Sequence, residues 1–365
     1  MWTIDTDITR AETPPGSAYS DAVAHARFVR EVMPTTWQPV PGAHLPEVSG
    51  GQRPTRVAGV PLVLTREGDT TRALSNVCTH RGAILVDSPC VGRSIRCPYH
   101  GRTFRLDGRF RRMPHFEGAK DFPRPQDSLA AVPLEHLGPL TFASIRPAAS
   151  FAELMAPARR LWPWTEASFT RDPGGDVTWT CSASWAQYVE NYLEGLHIPF
   201  VHPGLHAALE PGAYQTTQHP GCVVQLGEAR ADELAFSLPA SHPHHGRRIA
   251  AIYLWFFPTT MVNLYPWGIS LNQVIPTGPT SCSIRYETWV CAPELRGRGA
   301  GAGLDKVEEE DQAVIDRVAR GIGSPLYTRG RYSPSHEQGV HHFHRMWSAS
   351  LVKPDDWPMG LGRAE

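Results

Sequence analysis

The sequence predicts an α+β protein in two parts, a small all-β domain followed by an antiparallel-sheet domain flanked by long helices. Three observations predict it. Residues 41–148 read as short β-like runs cut by Gly and Pro, residues 223–291 carry five longer strand-like runs, and amphipathic stretches bracket them. With 41% hydrophobic and 19% charged residues over 365 positions, the chain can bury a sizeable core and is not disordered. The expected division is a helical lead over 1–36 packing on the second domain, the β domain over 37–148, and the larger domain over 149–365.

In order, residues 1–17 are a loose lead containing Pro14-Pro15-Gly16. A helix is expected over 20–33, where Val23, Ala26, Phe28, Val29 and Val32 fall on one side. The β domain contributes strands at 60–64, 73–77 and 140–145. A connecting helix over 151–161 ends before Pro163. Then come a strand over 177–184, a helix over 185–197 and a loop rich in Pro, Gly and His. Strands follow at 223–226, 249–257, 260–265, 270–275 and 281–291. After a Gly/Arg turn at 296–303, a long helix runs over 304–320, with Val307, Val314, Ile315 and Val318 as its apolar side.

The net charge of −1, from 35 basic and 36 acidic residues, leaves no basic stripe for nucleic acid. No run is long enough for a membrane span, and the first residues lack the basic and apolar regions of a signal peptide. Seven cysteines, an odd number in a long chain, fit a reducing compartment better than a disulfide framework, so a cytoplasmic location is expected.

Two motifs carry chemistry. Cys78-Thr79-His80 and Cys97-Pro98-Tyr99-His100 offer two thiolates and two imidazoles from two loops of the β domain. Structural zinc takes such mixed ligands. A Rieske [2Fe–2S] centre also does, with two histidines replacing two cysteines on one iron. Cys-x-His is tight for one zinc, whereas each loop of a Rieske centre gives its Cys to one iron and its His to the other. Gly82 and Gly101 suit close backbone approach to the cluster. Downstream, residues 190–202 read ENYLEGLHIPFVH. Glu194 and His197 are i,i+3 neighbours on a helix. A kink at Pro199 would swing His202 back toward His197. Two imidazoles and a distant carboxylate make the facial triad of non-haem Fe(II) oxygenases, which leaves positions open for dioxygen.

Residues 77–83, VCTHRGA, and 97–101, CPYHG, resemble the signature of the Rieske non-haem iron oxygenases, the ring-hydroxylating α-subunit family. The resemblance runs from Trp37 to about Trp347. It implies an N-terminal Rieske domain whose cluster is held by Cys78, His80, Cys97 and His100. It also implies a C-terminal helix-grip domain of START-like architecture, with mononuclear Fe(II) on His197, His202 and an acid of the late helix. Asp311, in preference to Glu310 or Asp305, matches that acid. Glu194 matches the family's carboxylate between the two metal sites, more often Asp, and Asn191 beside it is a candidate for orienting a ligand. The family further implies a head-to-tail homotrimer in which His100 or His80 of one chain nears Glu194 of the next. A separate flavin/iron–sulfur reductase would deliver NAD(P)H electrons for attack by O2 on a small organic substrate.

Residues 190–195 (ENYLEG), together with residues 324–327 (SPLY) and 341–344 (HHFH), look most like the choline, betaine and carnitine monooxygenase branch. A quaternary ammonium calls for an aromatic cage, with Trp255, Tyr265 and Trp267 as candidates, although strand residues of this kind also pack cores. The alternatives are an aromatic-ring dioxygenase α subunit, a Rieske electron carrier without oxygenase activity, and a zinc-stabilised binding protein. One departure is Arg102, where the family usually has Trp after its second motif. His341, His342 and His344 read as a C-terminal segment packing on the active site rather than a second metal site. Cys90 reads as a buried thiol, and Cys181, Cys222, Cys282 and Cys291 as core. Arg109, Arg111 and Arg112 read as a solvated loop rather than a patch for an acidic reductase.

Overall fold

The computed structural model describes residues 2–358; Met1 and 359–365, the outer ends of the expected first and last segments, lie outside the described residues. Two compact units form, one of residues 34–147 and one joining the first 33 residues to everything from Ala148 onward.

The smaller unit is all β. Its five-stranded antiparallel sheet runs in the order β5 (Cys90–Val91), β2 (Gly51–Val57), β3 (Val60–Glu67), β4 (Thr70–Ser75), β9 (Ala131–Val132). A three-stranded sheet joins β1 (Gln38–Val40), β11 (Leu140–Ala143) and β10 (Leu134–Leu137), and another joins β6 (Ile95–Arg96), β7 (Thr103–Phe104) and β8 (Phe110–Arg112). Alternation along β3 and β4 places Val63 and Leu74 in one core with Leu85, Ile95 and Phe104, and Cys78 and Cys97 lie in that same core. The two thiols are therefore seated on packed side chains. Cys90 corrects the expectation of a buried thiol: β5 is a two-residue edge strand, and its cysteine is exposed. Arg111 and Arg112 are exposed on β8, and Arg109 just before it pairs with Asp107.

The larger unit wraps helices around an eight-stranded antiparallel sheet in the order β12 (Thr170–Asp172), β19 (Ser281–Val290), β18 (Gly268–Gly278), β17 (Thr260–Tyr265), β16 (Ile249–Phe256), β15 (Cys222–Glu228), β14 (Gln215–His219), with β13 (Thr178–Cys181) also paired to β19. The middle strands β16 and β17 are buried along their whole length, so both sheet faces are covered.

Except for the long helix from residue 304, the helices are shorter or more broken than the periodicity suggested. The expected helix over 20–33 is α1 (Ala22–Arg27), N-capped by Asp21 and continued as a π turn over Phe28–Val32. Phe28 stacks on Trp185 at 4.4 Å, fixing this lead to the larger unit. The connecting helix splits into α2 (Phe151–Leu154) and α3 (Ala156–Arg160), because Pro157 takes the first turn of a new helix. Ser184 and Gln187 form a capping box that starts α4 (Trp185–Tyr192), which ends five residues before its expected end at 197. α5 (Ile198–Val201) and α6 (Pro203–Ala208) follow, then the long α7 (Leu304–Ile322). The inward face of α7 differs from the expected apolar stripe. Val318 is exposed, and the buried positions are Glu308 and Ile315, with Asp311 half-buried between them. A carboxylate face thus points inward. An unanticipated helix, α8 (Gln338–Val352), closes the unit with eleven of its fifteen residues buried, too many for an amphipathic pattern to show.

Candidate metal centres and substrate cavity

In the smaller unit, two loops present the cysteine–histidine pairs in the same way. Cys78 N–H donates to the Ala83 carbonyl at 2.8 Å and Gly82 N–H back to the Cys78 carbonyl at 3.0 Å. Cys97 N–H donates to the Arg102 carbonyl at 2.7 Å and Gly101 N–H back to the Cys97 carbonyl at 3.1 Å. Both closures require the left-handed region, φ +73° at Gly82 and +72° at Gly101, where a side chain is strained. Like ligands then meet like. The Cys78 and Cys97 side chains share one packed core, and burial together with the Cys97 thiol raises the pKa of Cys78, while the His80 and His100 rings lie 4.9 Å apart. A single tetrahedral zinc would draw all four ligands to one point. Sulfur beside sulfur and nitrogen beside nitrogen suit two irons instead. His100 Nδ1 is buried without a hydrogen-bond partner, as a ligand atom awaiting its metal would be. The residues fit a Rieske cluster.

Arg102 occupies the place usually held by Trp in an aromatic setting of its own. Its guanidinium lies 5.1 Å from Phe110, 5.4 Å from Phe122 and 5.9 Å from Phe104. It donates to Asp127 Oδ1 at 2.5 Å, with 2% of its side chain exposed. The Asp127 carbonyl also accepts from Thr79 Oγ1 at 2.8 Å, so Asp127 touches both cluster loops.

In the larger unit, α4 stops at Tyr192 and the chain turns through Gly195. Glu194 caps the next turn, accepting from the backbone N–H of Leu196 and, at 3.1 Å, of His197. Pro199 does not kink a helix, as the sequence suggested; it sits in the first turn of α5, where the missing N–H costs nothing. His202 precedes Pro203 and takes φ −118°, outside the helical region that a following proline disfavours.

His197, His202 and Asp311 then converge, their ligand atoms all within 4.8 Å of one another. Asp311 Oδ1 is 2.9 Å from His202 Nε2 and 3.7 Å from His197 Nε2. The opposite nitrogens are held by carboxylates, His197 Nδ1 by Glu194 Oε1 at 2.6 Å and His202 Nδ1 by Glu310 Oε2 at 2.8 Å. Asn191 Nδ2 donates to Asp311 Oδ1 at 2.5 Å. Carboxylate–histidine pairs of this kind fix ring orientation so that each Nε2 faces a metal. Burial works against a charge on His202, yet Asp311 and Glu310 outweigh it and raise its pKa. The cradle attracts a cation, and its donors suit Fe(II). Glu310 is therefore beside the triad but on the far side of His202, and Asp305 is exposed one turn and more away.

Beside the triad opens a cavity walled by six tyrosines, Tyr188, Tyr192, Tyr214, Tyr253, Tyr265 and Tyr286, with Asn263, Ser270, Asn272 and Glu308. Burial raises the Tyr192, Tyr214 and Tyr265 phenols well above their ordinary range, so the tyrosine faces of the wall are neutral. Of the three expected cage residues only Tyr265 lines it. Trp267 stacks behind Tyr265 at 5.3 Å, and Trp255 lies farther along β16 under Phe343 of α8, donating to the Pro258 carbonyl. The tyrosines come from three strands, helix α4 and a loop, a dispersion that no local motif reveals.

His341, His342 and His344 form no metal cluster with the triad. His341 Nε2 meets the Asp5 carbonyl, His342 Nε2 the His219 carbonyl, and His344 bridges Glu190 and Tyr332. Cys181, Cys222 and Cys282 are buried on their strands, and Cys291 is half-buried.

Residues 36–123 match the Rieske [2Fe-2S] domain, and residues 171–352 match the ring hydroxylating alpha subunit (catalytic domain). Among curated proteins, the chain is 28% identical to the chloroplastic choline monooxygenase of Arabidopsis thaliana, over 92% of this chain and 82% of that one. It is 27% identical to the carnitine monooxygenase oxygenase subunit of Escherichia coli K12, over 92% and 93%. Among solved structures, it shares the fold of a quaternary ammonium Rieske monooxygenase in complex with L-carnitine (TM-score 0.72, 21% identity, 95% and 98% covered). It also shares the fold of the naphthalene 1,2-dioxygenase of Rhodococcus bound to indole (TM-score 0.71, 17% identity, 93% and 95% covered).

Proposed function

The chain belongs to the Rieske non-haem iron oxygenases as an α subunit of the ring-hydroxylating family, and we propose that it oxidises a quaternary amine as the terminal component of a reductase-fed system. The observation that carries this reading is the tyrosine-walled cavity beside His197, His202 and Asp311. A quaternary ammonium loses its hydration on entering a pocket and cannot hydrogen-bond in return. Neutral aromatic faces replace that hydration by cation–π attraction. Curated relatives named for choline and carnitine support the same substrate class.

When bound, the [2Fe–2S] cluster supplies single electrons and the mononuclear iron supplies dioxygen activation. Cys78 and Cys97 would hold one cluster iron and His80 and His100 the other. His197, His202 and Asp311, which line the cavity, would hold the mononuclear iron. Glu194 and Glu310 lock the two imidazoles, and Asn191 holds the Asp311 carboxylate at its shared oxygen. The tyrosines orient the substrate and exclude water. A homotrimer would bring His80 or His100 of one subunit to Glu194 of its neighbour, with NAD(P)H electrons arriving through a flavin/iron–sulfur reductase. No described helix is long and apolar enough to cross a membrane. Seven free thiols support a cytoplasmic, reducing compartment.

The test is coupled turnover of the iron-loaded protein with a generic flavin/iron–sulfur reductase, read as substrate-dependent NADH and dioxygen consumption. Quaternary amines are set against simple aromatic acids. Coupled consumption with a quaternary amine, releasing an aldehyde, is the expected result. Consumption with aromatics alone would remove the quaternary-amine reading and favour the ring dioxygenase.

A further inference from the structure

The cavity beside the triad holds more acid than the reaction uses. Asp311 belongs to the metal cradle and Glu194 to His197, but Glu308 faces the same cavity from one turn earlier on α7. It is 4% exposed. Its Oε2 accepts hydrogen bonds from the Tyr188 hydroxyl at 2.5 Å and from the Tyr286 hydroxyl, and its Oε1 accepts from Gln312 Nε2 at 2.8 Å. These three donors are neutral. Among the described residues no Lys, Arg or His forms an ion pair with Glu308, and the cavity wall contains no Lys or Arg. A buried carboxylate with hydrogen bonds but no counter-charge is costly, and burial pushes its pKa upward. Its neighbours hold it in place against that cost, in a cavity whose lining supplies no Lys or Arg to pair with it.

Building on the quaternary-amine reading, we propose that Glu308 is the counter-charge for the substrate ammonium, and that the cavity selects a monocation with a neutral hydroxyl tail over a zwitterion. The saturation of Glu308 by hydrogen bonds is no obstacle, since a quaternary ammonium has no proton to donate and interacts through charge and aromatic contact. The Tyr188 and Tyr286 rings, tied to the carboxylate, supply that contact beside it. A second charge on the substrate meets the opposite environment. A carboxylate tail would find Glu194, Glu308 and Asp311 and no Lys or Arg among the lining residues, whereas a hydroxyl tail finds the Ser270, Asn263 and Asn272 side chains. Like charges brought together in a desolvated site disfavour the wrong ligand.

The experiment is calorimetric binding to the iron-loaded protein without reductase. Choline is compared with its uncharged isostere 3,3-dimethyl-1-butanol, and with the zwitterions glycine betaine and L-carnitine. Choline is expected to bind at least about tenfold more tightly than either the isostere or the zwitterions. Glu308→Gln is expected to weaken choline about tenfold and to leave the isostere nearly unchanged, closing the gap between them. The wild-type comparison stands even if the variant misfolds. Zwitterions bound as tightly as choline would overturn the selectivity while leaving the quaternary-amine reading intact. Undiminished choline binding by a folded Glu308→Gln would overturn the role of Glu308. Failure of choline, glycine betaine and L-carnitine alike to bind would overturn both readings.

Discussion

Asn191 and Asp311 meet through a hydrogen bond of 2.5 Å, and the Asp311 oxygen that accepts it is the same oxygen that faces His202 Nε2 at 2.9 Å. The two residues lie on different helices, α4 and α7. One helix thereby sets the orientation of the carboxylate carried by the other.

Replacing Asn191 with Leu, which keeps the volume and removes the donor, should free the Asp311 carboxylate to rotate. Loss of a partner of this kind typically costs 10–100-fold in metal affinity. Titrating Fe(II) into metal-stripped protein should show affinity at the triad lowered by about tenfold or more, with the visible spectrum of the Rieske cluster unchanged. Unaltered iron affinity would mean that the contact does not position Asp311.

The clasp at Asp127 makes a prediction for the smaller unit. Asp127→Ala leaves the Arg102 guanidinium buried among Phe104, Phe110 and Phe122 without its counter-charge. Stranding one member of a buried pair costs about 3–5 kcal/mol. Arg102→Trp removes the charge and fills the same aromatic surroundings, and should cost much less. Loss of cluster absorbance along a urea titration measures both. Equal losses for the two variants would show that the pair is not what holds the loops.

Acid stability should depend on His342. Burial, aided by Arg345, His341 and His219, lowers its pKa from the ordinary 6.5 to about 4, although the His219 carbonyl accepts its Nε2–H. The unfolded chain takes up this proton near pH 6.5, and the folded protein only near pH 4. Between those values the unfolded state binds more protons, so stability is full above the window and is lost as pH falls through it. At pH 5 the loss from this residue is about 2 kcal/mol. Urea unfolding at pH 7.5 and pH 5 should show a smaller difference for His342→Gln than for the wild type. Identical differences would assign the acid sensitivity elsewhere.

The parts legible in the sequence are those encoded over short spans. The two cysteine–histidine loops each close within six residues, so their spacing alone orders the ligands. His197 and His202 were readable for the same reason, though the local geometry was not. Glu194 draws the chain into a cap instead of a longer helix, and Pro199 starts a turn instead of bending one. The cavity was not legible, because Tyr192 and Tyr265 reach the same wall across 73 positions of intervening sheet and loop. Trp255 misled because both faces of β16 are buried, so an aromatic residue there has two destinations, and Trp267 because it lies in the turn between β17 and β18 and stacks behind Tyr265. Glu308 was masked by the neighbouring acids of α7, which look like a solvated face until the helix is placed on the sheet. α8 was hidden by its three histidines, which are buried through contacts to Asp5, His219 and Glu190 that lie far away in sequence.

The central claim, that oxygen chemistry occurs at the triad and electrons come from a separate cluster, is tested most directly by His197→Ala. Purified variant and wild type would be compared for visible spectrum and for substrate-dependent dioxygen uptake with reductase and NADH. The predicted result is an unchanged red-brown spectrum with dioxygen uptake abolished. Substrate-coupled uptake that survives the substitution would contradict the assignment of the mononuclear iron to His197, His202 and Asp311.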